Sequence, residues 1–186
     1  LDRQRLLTLL EMAMMAALAV VFSQIKVFEM PQGGSVSLVM VPIALIAVRR
    51  GVVAGIVTGT IVGLLQLMLG STIVSPVQLI LDYPLAYAVL GLSGLISLSG
   101  YEGKKQRLVA LWSSLFMGVI ARFACHFISG IVWFGQYTPE GTPVAWYSFV
   151  YNITYLLPEM IISGVVLTVV LGSASSLLFP SRNRLA

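Results

Sequence analysis

The stretch IALIAVRRGVVAGIVTGTIVGLL, residues 43–65, decides the fold: Arg49 and Arg50 stand side by side between apolar runs that hold no other charge. Lys and Arg collect at the cytoplasmic ends of membrane spans, so the pair marks a turn at one membrane face. The pattern repeats outward. Arg3 and Arg5 lie near the start, Lys104, Lys105 and Arg107 form a further cluster, and Arg182 with Arg184 another, so nine of the eleven Lys and Arg residues sit at four points. If all four lie on one face, each interval crosses the bilayer and returns. The expectation is an all-α integral membrane bundle of six transmembrane helices, with the N- and C-termini cytoplasmic.

Of the 186 residues, 58% are hydrophobic and 10% charged, where a soluble domain carries about 25% charged residues. The mean hydropathy of +0.96 agrees. The chain reads as a single transmembrane domain over residues 1–186, with no nucleotide-binding loop and therefore no ATPase of its own. The net charge of +4 belongs to positive-inside loops; no aromatic-interleaved basic stripe points to nucleic acid. The lone Cys125 sits in an apolar run and reads as a packing residue. Ala17-Leu18-Ala19 resembles a signal-peptide cleavage site, but the apolar run continues through Phe22. That exceeds the ~7–15 residues of a signal-peptide core, and a retained first helix is expected.

The predicted helices cover residues 6–27, 35–48, 51–69, 77–99, 108–134 and 147–178, the last bending around Pro158. External loops fall at 28–34, 70–76 and 135–146, where Pro and Gly cluster. Gly51, Gly55, Gly59 and Gly63 repeat every four residues, placing them on one helix face suited to close packing.

Ionisable residues at membrane depth are costly and become functional candidates. They are Glu11, Asp82, Arg122, His126 and Glu159. Helix 4 descends from outside, so Asp82 and Tyr83 lie just below the outer surface. Helix 5 ascends, putting His126 roughly 27 Å above Leu108 at 1.5 Å per residue. Trp133 and Phe134 top that helix, and Tyr147, Tyr151 and Asn152 open helix 6. A carboxylate, an imidazole, an amide and several rings thus gather at one depth from three helices, as in a small-molecule pocket. Rings stack on a flat aromatic ligand and attract a cation, and Asp82 accepts from an amine or neutralises a positive charge. Arg122, one turn below His126, is expected to pair with Asp82 or Glu159 behind the pocket. Glu159 itself is assigned no role, and Glu11 is expected to pair with a neighbouring basic residue.

These residues resemble a known family. The stretches LLEMAMMAALA (from residue 9), PQGGSVSLVMVPI (31–43), RRG (49–51), LDYPLAY (81–87), HFISGIVWFGQY (126–137) and YSFVYN (147–152) are similar to the thiamine-specific S component of energy-coupling-factor (ECF) transporters. The resemblance implies a multi-pass protein of the bacterial cell membrane that binds thiamine with high affinity near the external face, with no cofactor, metal or catalysis. It implies partners: a transmembrane coupling subunit and two ATPase subunits. The substrate-binding residues it implies are Asp82, Tyr83, His126, Trp133, Phe134, Tyr147 and Asn152, the family's pocket tryptophan falling at Phe134 in one register and at Trp133 in the other. Both rings are expected near the site with Trp133 stacking, Arg122 and Tyr151 behind them, and loop 28–34 as a lid. Some members carry Glu at the position of Asp82, and some a Trp where this chain has Gly33 and Gly34. The family's small-residue motif for docking the coupling subunit matches Ala13 and Ala17.

Three other readings compete. One is an S component for another vitamin. A second is a proton-driven secondary transporter using Asp82, His126 and Glu159, for which the chain is short and lacks an inverted repeat. The third is an intramembrane serine protease built on GLSG (91–94) and His126. Ser93 is expected roughly 10 Å above the cytoplasmic end of its helix and His126 roughly 27 Å, whereas a Ser–His dyad needs about 2.6–3.2 Å.

Overall fold

In the computed structural model, residues 2–70 and 72–179 are described; Arg182 and Arg184 lie outside the described residues. Six helical elements follow in order: α1 (Arg3–Gln24), α2 (Met40–Arg50), α3 (Val52–Leu67), α4 (Pro76–Gly100), α5 (Lys104–Trp133) and α6 (Val144–Ser173). Four of them, α1, α4, α5 and α6, are long and apolar enough to cross a membrane, and α3 is a shorter apolar helix. The exception is α2, whose 11 residues span only roughly 16 Å, about half a hydrocarbon core. Every residue from Met40 to Ala47 is buried, so neighbouring helices sheathe it. Pro42 sits in its first turn, where no backbone N–H is needed.

The second predicted helix begins five residues late because the preceding segment forms a hairpin instead. Strands β1 (Phe28–Glu29) and β2 (Ser35–Val36) pair antiparallel, with Phe28 opposite Val36. Gly33 and Gly34, at φ 93° and 92°, make the turn possible, since that left-handed region penalises any residue with a Cβ. The Met30 amide donates to the Gly34 carbonyl at 2.8 Å.

The fourth helix is not the continuous span that the sequence suggests. Inside α4, Pro76–Ile80 is α-helical, Leu81–Leu85 is a π turn containing Pro84, Ala86–Val89 is α-helical again, and Leu90–Leu95 tightens to 3₁₀. Proline removes one i−4 bond, and a wider turn absorbs the loss. By contrast, α6 continues as α-helix through Pro158.

The glycine stripe explains how α3 meets this irregular helix. A Cβ on Gly59 would lie 2.0 Å from the Tyr87 carbonyl oxygen, and one on Gly63 would lie 2.6 Å from Pro84 Cα. Gly55 meets Gly91 and Ala47 in the same way. The two backbones touch, as small residues permit in membranes. Gly51 differs: it has open space beside it and φ 93°, and it turns the chain between α2 and α3.

The ends of the bundle are chemically distinct. At one end Glu11 of α1 accepts from Arg49 Nε at 2.9 Å and Arg50 Nε at 2.6 Å, and Arg49 also donates to the Ser176 carbonyl at 2.6 Å. This clamp joins α1, α2 and the turn after α6; Lys104, Lys105 and Arg107 begin α5 at the same end. The other end carries the hairpin and the α3–α4 and α5–α6 loops. By the positive-inside bias, the clamp end is cytoplasmic.

Ser93 is fully buried, and a Cβ on Gly118 of α5 would lie 2.3 Å from its Oγ. Gly118 precedes His126 by two turns, roughly 12 Å, which rules out a Ser93–His126 dyad.

Replacing Gly59 with Ala is expected to destabilise the bundle by about 1–3 kcal/mol through overpacking. Gly172→Ala, where nothing lies within 4 Å, should be neutral or stabilising by about 0.5–1 kcal/mol. Thermal unfolding of the two variants in detergent checks the contrast.

Candidate ligand-binding site

A cavity of about 360 Å³ opens at the loop end of the bundle. Its size is within the ordinary range for small-molecule sites. Helices α3 to α6, the end of α1 and the β1–β2 hairpin all contribute to its wall. Asp82, Tyr83, His126, Phe134, Tyr147 and Asn152 line it, as do Arg122 and Tyr151. Trp133 is not among the lining residues: α5 ends there, and Phe134, which caps it with non-helical backbone angles, is the ring that lines the cavity.

Asp82 is positioned by the π turn of α4. Its carboxylate accepts from Gln78 Nε2 at 2.7 Å and Ser129 Oγ at 2.6 Å, and contacts His126 Nδ1 at 3.0 Å. Arg122 Nε donates to His126 Nε2 at 3.3 Å. A guanidinium can only donate, so Nε2 is the acceptor, the ring proton sits on Nδ1, and it is aimed at Asp82. The imidazole is therefore neutral in this arrangement. Arg122 pairs with Glu159 at 3.2 Å rather than with Asp82, and its guanidinium lies 4.6 Å from the centroid of the Tyr87 ring.

Asn152 is held from both sides. Its Nδ2 donates to the Ser148 carbonyl at 2.8 Å, and its Oδ1 accepts from Tyr155 Oη at 2.9 Å. A Cβ on Gly130 would lie 2.2 Å from Ser148 Oγ, so α5 and α6 meet closely here. Tyr151 Oη donates to the Gly33 carbonyl at 2.8 Å and accepts from the Gln32 amide at 3.0 Å. It fastens the hairpin turn over the cavity. A Cβ on Gly34 would lie 2.7 Å from the Tyr155 ring, so no side chain fits at that position.

The charges lining the cavity sort into pairs. Lys26 meets Glu29 at 2.6 Å, and Arg122 meets Glu159. Among the described residues, Asp82 contacts only the neutral donors named above, which leaves their lining of the cavity with one uncompensated carboxylate.

Sequence reasoning missed several wall residues. Gln78 is one turn before Asp82 and Ser129 one turn after His126, so helical spacing would have found both. Tyr155 follows Tyr151 by four. Glu159 was one of the two partners expected for Arg122, and its further contact with Ser37 had no local signal. Gln66, near the end of α3, also lines the cavity, and its amide nitrogen has no partner among the described residues.

Comparison with known proteins agrees with this architecture. Residues 9–179 match the model of the family described as thiamine transporter protein (Thia_YuaJ). The chain is 43% identical over 183 residues to the thiamine transporter ThiT of Bacillus subtilis (strain 168), covering 94% of this chain and 95% of that one. It is 33% identical over 182 residues to ThiT of Lacticaseibacillus paracasei, covering 90% of each. The solved structure of ThiT from Listeria monocytogenes superposes with a TM-score of 0.88 at 31% identity, over 96% of this chain and all of that one. The fold is an all-α, multi-pass membrane bundle with a cavity at one end, and the proteins it is similar to are transport proteins. The chain belongs to the thiamine transporter protein family.

Tyr151→Phe removes both hydrogen bonds to the hairpin turn. Each is worth roughly 1 kcal/mol, so backbone amides of residues 30–34 should exchange with solvent about tenfold faster or more, with exchange in α5 unchanged. Hydrogen–deuterium exchange read by mass spectrometry checks this.

Proposed function

We propose that the chain is the high-affinity thiamine-binding S component of an ECF-type importer, capturing thiamine at the external side. Delivery is proposed to use a transmembrane coupling subunit and two ATPase subunits, the partners that the family resemblance implies. The observation that carries the reading is Asp82: one carboxylate with only neutral partners, in a cavity walled by aromatic rings. Thiamine is a cation of two flat rings joined by a methylene, and its aminopyrimidine has hydrogen-bonding edges. A carboxylate answers the charge or the exocyclic amine, and aromatic faces attract a cation. Asp82, Tyr83, His126, Phe134, Tyr147 and Asn152 are proposed to contact the ligand, with Arg122 and Tyr151 behind them. Between Trp133 and Phe134, the cavity lining favours Phe134 as the stacking ring. The turn fastened by Tyr151 is proposed as the lid.

Isothermal titration of the purified chain in detergent tests the reading. Thiamine should bind in the nanomolar range, about −12 kcal/mol. Affinity weaker than about 0.1 mM, or tighter binding of another vitamin, overturns it. Asp82→Ala should lose about 1–3 kcal/mol or more, the penalty for an unmatched buried polar group, and Asp82→Glu should lose less.

Ala13 and Ala17 are proposed as the docking face for the coupling subunit. They are exposed on α1, while Met12, Ala16 and Ala19 face the core. Four residues apart, they share one stripe where a partner helix can approach closely. Ala13→Trp and Ala17→Trp should leave thiamine binding by the isolated chain intact while abolishing co-purification with the ATPase module and uptake. Assembly and transport by both variants, or lost binding in isolation, would remove the docking assignment.

A further inference from the structure

Glu159 lies outside the set of residues proposed to touch the ligand, yet two separate elements converge on it. It is fully buried on α6. Its Oε2 accepts from Arg122 Nη1 of α5 at 3.2 Å, and its Oε1 accepts from Ser37 Oγ, between β2 and α2, at 3.0 Å. Both Arg122 and Glu159 line the cavity. Arg122 is a permanent cation, and its side chain is held by His126 and by the face of Tyr87. A fixed positive charge at that place opposes the entry of a cationic ligand unless something cancels it.

We propose that Glu159 is a positioning residue for ligand charge: it neutralises Arg122, so that the cavity offers a cation the full negative charge of Asp82. The ionised groups lining the cavity then sum simply. Lys26 cancels Glu29, Arg122 cancels Glu159, and Asp82 remains. Without Glu159, Arg122 and Asp82 would cancel each other across His126, and the net attraction for a cation would vanish. This inference rests on the thiamine reading and assigns the ion pair a task within it: discrimination by charge rather than by shape.

The test compares thiamine with its uncharged isostere, in which carbon replaces the quaternary ring nitrogen. Both are titrated against wild-type protein and against Glu159→Gln. Wild type should prefer the cation. If it binds neither ligand, the thiamine reading fails before the variants are compared. Glu159→Gln keeps the shape and one acceptor oxygen for Arg122, with its amide nitrogen turned to donate to Ser37 Oγ, while removing the charge. The ratio of cation to isostere affinity should fall about tenfold, the effect of a unit charge roughly 10 Å away at an effective dielectric near 20. Equal loss for both ligands, or an unchanged ratio, overturns the proposal. The double variant Glu159→Gln/Arg122→Gln removes both charges and should restore the ratio to about the wild-type value. If Glu159→Gln alone does not fold, the double variant decides. A preserved ratio supports compensation, and a lost one means that Glu159 attracts the cation directly and the proposal is wrong.

Discussion

A charge inside a membrane protein has little water to fall back on, and that constraint organises the upper half of this molecule. Arg122 and Glu159 are both buried, and removing one partner of such a pair costs about 3–5 kcal/mol because the other is stranded. Contacts continue from the pair in both directions, through His126 to Asp82 and through Ser37 to the segment between hairpin and α2. One line of polar contacts therefore fixes α4, α5, α6 and the start of α2 relative to each other. The geometry of the cavity follows from electrostatic necessity as much as from apolar packing.

The lower half is held differently. There the Glu11 clamp on two arginines closes the end of the bundle, and the backbone-to-backbone packing of α3 on α4 begins at Gly55 and runs up to Gly63 beside the cavity wall. A charge-assisted, multiply bonded cluster is strong, and it ties α1 to the short, fully sheathed α2. Ligand chemistry and membrane anchoring are thus separated along the bundle axis. Ala13 and Ala17 share α1 with Glu11, near the clamp and away from the cavity.

Much of this was legible in the residues. Arg49 and Arg50 announced the turn between α2 and α3, and the spacing of Gly55, Gly59 and Gly63 announced close packing, because both signals are local and periodic. Asp82, His126 and Asn152 were legible as polar residues at a shared depth. The hairpin was not, because two-residue strands are too short to carry an alternating pattern. Nor was it legible that Phe134 lines the cavity and Trp133 does not, since hydropathy does not resolve which of two neighbouring rings at a helix end turns inward. Glu159 was legible as one of two expected partners for Arg122, but its contact with Ser37 was not, because only tertiary structure brings that residue to it.

The π turn at Leu81–Leu85 ties function to the count of residues as well as to their kind. A wider turn accommodates an extra residue without advancing the helix by a full step. Losing that residue would let the segment close to a regular α-helix while the turns on either side keep their present faces, so the glycine packing beyond the turn would be spared. The change would be confined to the turn that carries Asp82. A gap of one inside this apolar span is therefore an alteration of the site and not of the scaffold around it.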